Sequence, residues 1–167
     1  MIIWIIGLAG SGKTTTGRSL YKKIKSKNPA TCFIDGDKIR EINDYDLGYT
    51  LSDRKKNAKR VINLCKLLDD QKINVVVSIL HNFPKQGLEN RKNFSEYFEV
   101  FIKCKKNTLI KRDQKKLYSE VGKKKILNVV GFDIKFYEPI KPDLVVNCED
   151  DINTNVLKIL KSLKIYK

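Results

Sequence analysis

The sequence predicts an α/β fold, a doubly wound, mostly parallel five-stranded sheet with helices on both faces and a mobile lid. Three observations carry this. Short β-rich runs alternate with longer helical ones along the 167 residues, and such alternation implies right-handed crossovers between parallel strands. Continuous apolar runs such as Val75-Val76-Val77 suit strands covered on both faces. The first apolar run ends in Gly7-Leu8-Ala9-Gly10-Ser11-Gly12-Lys13-Thr14, a complete G-x-x-x-x-G-K-[ST] phosphate-binding loop set between strand and helix. That context makes the fold P-loop NTPase type.

The elements follow in order. Strands are expected at 2–6, 31–35, 73–79, 98–103 and 143–147, each a β-branched or aromatic run. Helices are expected at 13–27, 51–71, 84–96, 107–113 and 153–165. The 51–71 helix is the clearest: Thr50-Leu51-Ser52-Asp53 is a capping-box pattern, and Ala58, Val61, Ile62, Cys65 and Leu68 share one face. Val156, Leu157, Leu160 and Leu163 do the same in the last helix. Residues 114–130 are basic and aperiodic and read as the lid, the plainer alternative being a surface loop. With no linker or repeat, the whole of 1–167 reads as a single P-loop domain.

Bulk properties bound the function. The net charge is +15, yet no aromatic residues interleave the lysine runs as they do in single-strand binders. This argues against a nucleic-acid partner and for a basic pocket that takes small polyanions. Cys32, Cys65, Cys104 and Cys148 are widely spaced without a C-x-x-C, so buried thiols in a reducing cytoplasm are expected rather than disulfides or zinc. The opening Met1-Ile2-Ile3-Trp4 has no basic flank and too short an apolar run to span a membrane, so it reads as a core strand.

The chemistry concentrates at two places. Gly7, Ala9, Gly10, Ser11, Gly12, Lys13, Thr14 and Thr15 are expected to hold ATP through backbone N–H groups. Lys13 adds charge for the β/γ-phosphates, and the Thr14 hydroxyl can ligate Mg²⁺. The second strand ends in Asp35-Gly36-Asp37, two carboxylates beside that loop in this architecture. One can hold the metal, for which Asp35 is the candidate, and either can take a proton from an attacking hydroxyl. The alternative is an Asp-Gly turn capping a helix. The 73–79 strand ends at Ser78 without an acid, which favours a small-molecule kinase over a GTPase or mechanical ATPase.

Ile34-Asp35-Gly36-Asp37-Lys38-Ile39-Arg40, Asp46 through Asn57, Lys111 through Tyr118 and Tyr137-Glu138-Pro139 resemble the adenylylsulfate (APS) kinases, in order and at matching spacing. The resemblance implies transfer of the ATP γ-phosphate to the 3′-hydroxyl of a nucleotide with a sulfated 5′-phosphate, with Mg²⁺, in a homodimer. It implies that Gly36, Lys38 and the acid pair meet this acceptor, with Arg40 and Arg54 clamping its anionic tail. Tyr49 stands where the family has a base-stacking Phe, Asn57 where it has a substrate-contacting Asn, and Lys115 matches the lid lysine. Leu80 and His81 fall on the third strand's substrate loop, and Arg112 is implied to cover the ATP base.

The chain departs from the family pattern on the acceptor side. His81 replaces the family's serine after the third strand, and the next arginine is gone unless Lys85 substitutes. Val129 occupies the place of the lid Phe that stacks on adenine, with Phe132 a possible shifted replacement. Because the ATP side is intact, these changes point to the same reaction on another nucleotide. The resemblance extends to a capsule-pathway branch of the family that acts on cytidine diphosphoramidate, and that acceptor is favoured over adenylylsulfate, since a pyrimidine needs less stacking surface. The alternative of another class is a polynucleotide kinase or nucleic-acid-binding protein.

Overall fold

In the computed structural model, which describes residues 1–80, 83, 85–113, 116–123 and 125–163, hydrophobic periodicity is realised as one sheet between two helical layers. The strands are β1 (Ile2–Ile6), β2 (Thr31–Asp35), β3 (Asn74–Ile79), β4 (Tyr97–Lys103) and β5 (Leu144–Asn147). Their order across the sheet is β2-β3-β1-β4-β5, and all four neighbouring pairs are parallel. The helices are α1 (Lys13–Lys25), α2 (Gly36–Glu41), α3 (Leu51–Asp70), α4 (Gln86–Asn93), α5 (Lys106–Arg112), α6 (Leu117–Gly122) and α7 (Ile152–Ser162).

Alternation along β1 divides the core. Ile2, Trp4 and Ile6 face the layer of α3, where Ala58, Val61, Ile62 and Cys65 are buried. Ile3 and Ile5 face Leu20 and Ile24 of α1 and Val156, Ile159 and Leu160 of α7. Every residue of β1 is buried, and each large aliphatic chain so covered contributes about 1.5–3 kcal/mol. Leu157, expected on the inner face of α7, is instead 60% exposed. The inner stripe runs through Val156, Ile159 and Leu160, and Leu157, one position beyond its edge, turns to solvent.

Strand limits fall within a residue of the sequence expectation, and the Thr50 cap forms: its hydroxyl accepts from the Asp53 N–H at 3.2 Å. Two six-residue helices, α2 and α6, were not anticipated, being too short to show a period. The second lies within the basic 114–130 stretch, so that stretch is not wholly irregular. The thiol expectation needs correction at two positions: Cys104 and Cys148 form a disulfide, while Cys32 and Cys65 are free. The parallel register sets Lys103 opposite Asn147, which leaves the following cysteines facing each other with Cα atoms 5.2 Å apart. A separation of 44 residues in the chain conceals that adjacency.

The layer of α1 approaches the sheet closely at Gly17. A Cβ there would lie 2.4 Å from Ser78 Oγ and 2.8 Å from the Phe33 ring. Gly17→Val is therefore expected to destabilise the fold by about 1–3 kcal/mol, as overpacking does. Urea unfolding would read this as a lowered midpoint at constant slope, and an unchanged midpoint would contradict the close approach.

Candidate functional site

The site begins where β1 gives way to α1. Gly10 and Gly12 have φ of 77° and 90°, left-handed values that a Cβ disfavours. Gly12 is the N-cap of α1 and offers no side-chain hydrogen bond, so the first-turn N–H groups remain directed outward as an anion cradle. Lys13 Nζ donates to the Leu8 carbonyl at 2.7 Å, laying the ammonium across the loop. The Ser78 hydroxyl donates to the Lys13 carbonyl at 3.0 Å and fixes the helix start to β3. Ala9, Gly10, Gly12, Lys13, Thr14 and Thr15 line a cleft of about 390 Å³. Gly7 and Ser11 do not line it. Gly7 allows close approach, since its Cβ would meet Ser11 Oγ at 2.6 Å, and Ser11 turns inward with a buried hydroxyl that has no partner among the described residues.

Asp35 ends β2 and uses both carboxylate oxygens. One accepts from the Thr14 hydroxyl at 2.7 Å, the other from the Asp37 N–H at 2.9 Å. The Asp-Gly-Asp turn is thus both a helix cap, for α2, and a part of the cleft. A hydroxyl paired with a carboxylate beside a phosphate cradle is an oxygen donor set suited to Mg²⁺, which is held by one or two protein groups plus phosphates. Gly36 permits the turn to press on β3, where its Cβ would sit 2.9 Å from Ile79. Asn57 Nδ2 donates to the Gly36 carbonyl at 3.1 Å, while its buried Oδ1 has no partner among the described residues.

The opposite wall is cationic. Arg40, only 4% exposed, donates from Nη1 to the carbonyls of Leu47 at 3.0 Å and Gly48 at 2.7 Å. Arg54 donates from Nε to the Tyr49 carbonyl at 2.9 Å and from Nη2 to the Asn128 carbonyl at 2.8 Å. Both guanidinium groups lie over the Tyr49 ring, at 4.9 and 5.3 Å from its centroid. Burial, and then the neighbouring Arg40 charge, push Arg54 below the usual guanidinium value, with Tyr49, Asp37 and Asp133 opposing. Two half-desolvated cations in one wall are a site that an anion relieves.

Not every expected residue reaches the cleft. Asp35, Gly36, Asp37, Arg40, Tyr49, Arg54, Asn57, Leu80 and Val129 line it. Lys38 does not, because its ammonium pairs with Glu41 on the outer face of α2. Arg112 also stands off the wall, donating to the Cys148 carbonyl at 2.8 Å. His81 and Lys115 lie outside the described residues. Phe132 does not replace the missing lid aromatic: it stacks on Tyr118 at 4.5 Å between centroids, away from the cleft lining.

Sequence reasoning missed four groups. Asp113 lines the cleft and accepts from the Tyr118 and Ser119 N–H groups at 2.9 and 3.0 Å, bonds that hold its carboxyl below the usual range. Tyr118 is buried, donates its hydroxyl to the Ala9 carbonyl at 2.5 Å, and is pushed up to about 12 by burial. The Asp133 carboxylate accepts from Asn128 N–H at 2.6 Å and Val129 N–H at 2.5 Å. It closes the loop that carries Val129 and the fourth group, Asn128. The sequence signal for two of them is that Asp113 and Tyr118 fall within the Lys111–Tyr118 block that resembles the family.

Comparison with known proteins places this geometry. Residues 1–147 match the family described as Adenylylsulphate kinase. The chain is 41% identical over 169 residues to a cytidine diphosphoramidate kinase from Campylobacter jejuni, with 98% of this chain and 96% of the relative covered. It is 32% identical to an adenylyl-sulfate kinase from Clostridium acetobutylicum, covering 98% of this chain and 84% of that protein. Among solved structures, the Mycobacterium tuberculosis APS kinase in complex with AMPPNP and APS superposes with a TM-score of 0.87 at 26% identity, over 98% of this chain and 96% of that one.

The cradle itself can be tested by binding. Lys13→Ala should weaken a fluorescent ATP analogue by about 10- to 100-fold, the worth of one hydrogen bond to a charged group. Titration against the wild-type chain would show it, and equal affinities would remove Lys13 from the site.

Proposed function

The chain belongs to the adenylylsulphate kinase family, and we propose that it transfers the γ-phosphoryl group of ATP to the ribose 3′-hydroxyl of a nucleotide with an anionic 5′-tail. Cytidine diphosphoramidate is the acceptor favoured. One observation carries the reading: a single cleft holds the phosphate cradle with Thr14 and Asp35 at one wall and the Arg40–Arg54 pair at the other. Two anionic substrates can then lie head to head, which is what phosphoryl transfer by positioning requires.

The roles follow from what each group touches. Backbone N–H groups of Gly10 through Thr15 hold the triphosphate, and Lys13 swings from the Leu8 carbonyl to the transferring phosphoryl. Thr14 and Asp35 would hold Mg²⁺, which when bound neutralises charge on the β- and γ-phosphates. Asp37 lines the same cleft and lies close enough to Arg54 to oppose the lowering of its pKa, and as general base it receives the 3′-hydroxyl proton. Arg40 and Arg54 meet the acceptor tail with planar forks suited to phosphate oxygens. Tyr49, Asn57, Leu80 and Val129 shape the nucleoside pocket. The chain acts as a single kinase domain, in a homodimer serving capsule biosynthesis.

Val129 favours the cytidine acceptor. A valine offers one side of the base less stacking surface than an aromatic ring, where such stacking is worth about 1–3 kcal/mol per base. A pyrimidine loses less by that exchange than adenine. The 41% identity with a cytidine diphosphoramidate kinase over nearly the full chain points the same way. The second reading is adenylylsulfate as acceptor, favoured by the likeness to the APS-bound kinase structure.

Side-by-side kinetics decide between them: turnover of cytidine diphosphoramidate at tenfold or higher kcat/KM than adenylylsulfate is expected, and the reverse ratio reassigns the acceptor. Arg54→Ala should raise the acceptor KM by about 10- to 100-fold and leave the ATP KM within about threefold. Asp37→Asn should lower kcat by about 10²–10⁴, the range of general-base catalysis. A fully active Asp37→Asn chain would reject the assigned proton transfer.

A further inference from the structure

Besides the two cores that cover the sheet, a third apolar cluster joins loops to loops. Leu109, Tyr118 and Val129 are buried in it, with Leu8, Ala9, Val121, Ile126 and Phe132 packed around them. Its members come from the phosphate loop, from α5 and α6, and from the loop that carries Val129. Two contacts tie the first of these to the last. The Tyr118 hydroxyl donates to the Ala9 carbonyl across 109 residues of sequence, while the Tyr118 ring stacks on Phe132 at 26° between planes. Leu8 also packs against Gly131, whose φ is 94° and whose Cβ would lie 3.0 Å from the Leu8 side chain. The far end of the loop is pinned by Asp133 on the Asn128 and Val129 N–H groups and by Arg54 on the Asn128 carbonyl.

We propose that the Ala9–Tyr118–Phe132 contact is a strut that fixes the acceptor wall at a set distance from the phosphate loop, and that Tyr118 is a positioning residue for the transfer. The inference rests on the two-substrate reading of the cleft. Tyr118 lines the cleft beside the phosphate loop, yet neither of its two contacts is to a group that reacts. The tyrosine instead links Ala9, one residue from Gly10 in the cradle, to Phe132, three residues from Val129 in the nucleoside pocket. Transfer between two bound molecules depends steeply on their separation, and a misplacement of about 1 Å costs on the order of 10² in rate. Each substrate, by contrast, keeps its own contacts when the strut loosens, so binding changes little.

The test uses the full chain with ATP and whichever of cytidine diphosphoramidate and adenylylsulfate the wild type turns over. Tyr118→Phe removes only the hydroxyl and keeps the ring. It is expected to lower kcat about tenfold or more with the ATP and acceptor KM values within about threefold. Phe132→Ala should do the same, and the double variant should be no slower than the slower single one, because both act through one contact. If Tyr118→Phe turns over within twofold of wild type, or loses thermal stability while keeping kcat, the cluster is packing only and the inference fails. Single effects that multiply in the double variant also refute it, as does a kcat loss matched by an equal rise in ATP KM. A wild-type chain inactive on both acceptors rejects the proposed function itself, and the strut with it. An active wild type with an active Tyr118→Phe rejects the strut alone.

Discussion

Parallel pairing of β1 on both sides is the constraint on which the site depends. With β3 and β4 each running alongside β1 in the same direction, the loops after the strands must leave from one edge of the sheet. Ligands in open α/β sheets bind beyond those carboxyl ends. The consequence here is concrete. Asp35 at the end of β2 lies opposite Ser78 of β3, Ser78 bonds to the carbonyl of Lys13, and Asp35 bonds to the hydroxyl of Thr14. Three segments distant in sequence are locked by adjacent register positions into one corner. An antiparallel strand at any of these places would carry its terminal residue to the far edge.

The same logic explains what could be read in advance. A buried parallel strand announces itself by an unbroken apolar run, so β1 and β2 were placed at their observed limits and β3 within a residue. The phosphate loop was legible because left-handed turns need glycine, at Gly10 and Gly12, and sequence shows glycine directly. Side-chain destinations were another matter. Lys38 was expected at the acceptor and pairs with Glu41, because a helix of six residues leaves a lysine equally free to turn outward. Phe132 was a candidate replacement for the missing aromatic, yet Tyr118 claims its face. The Cys104–Cys148 contact follows from register between β4 and β5, and no local pattern encodes register across 44 residues. Lys38 apart, what failed to show in the sequence was contact between segments distant along the chain.

Charge balance gives the cleft its polarity. The chain carries fifteen more cations than anions, but most of these are lysines on solvated faces, where exposed charge contributes little. The cations that matter are few and immobilised. Arg40 is nearly buried and bonded to two carbonyls, and Arg54 is bonded to two more, so neither can swing away to relieve their mutual repulsion. Tyr49, under both guanidinium groups, offers its ring face as partial compensation worth about 0.5–2 kcal/mol. That compensation is weaker than what a phosphate-like anion supplies through charge-assisted bonds. The wall is therefore preorganised for an anion and holds its geometry through carbonyl bonds.

Preorganisation of this kind bears on how acceptor choice could shift without disturbing the chemistry. Val129 sits in a loop whose backbone is held by Asp133 and Arg54, independent of the residue at 129 itself. A change of side chain there alters the nucleoside pocket and its packing in the cluster with Leu109 and Tyr118, while the main-chain bonds and the arginine pair hold the loop. Acceptor specificity is thereby separable from transfer geometry. The first is set by side chains that project from a fixed loop, the second by the main-chain bonds that fix it. A family that moves from one nucleotide to another needs a scaffold of that form, since a substitution that also displaced the loop would lose rate through misalignment before it gained a new substrate.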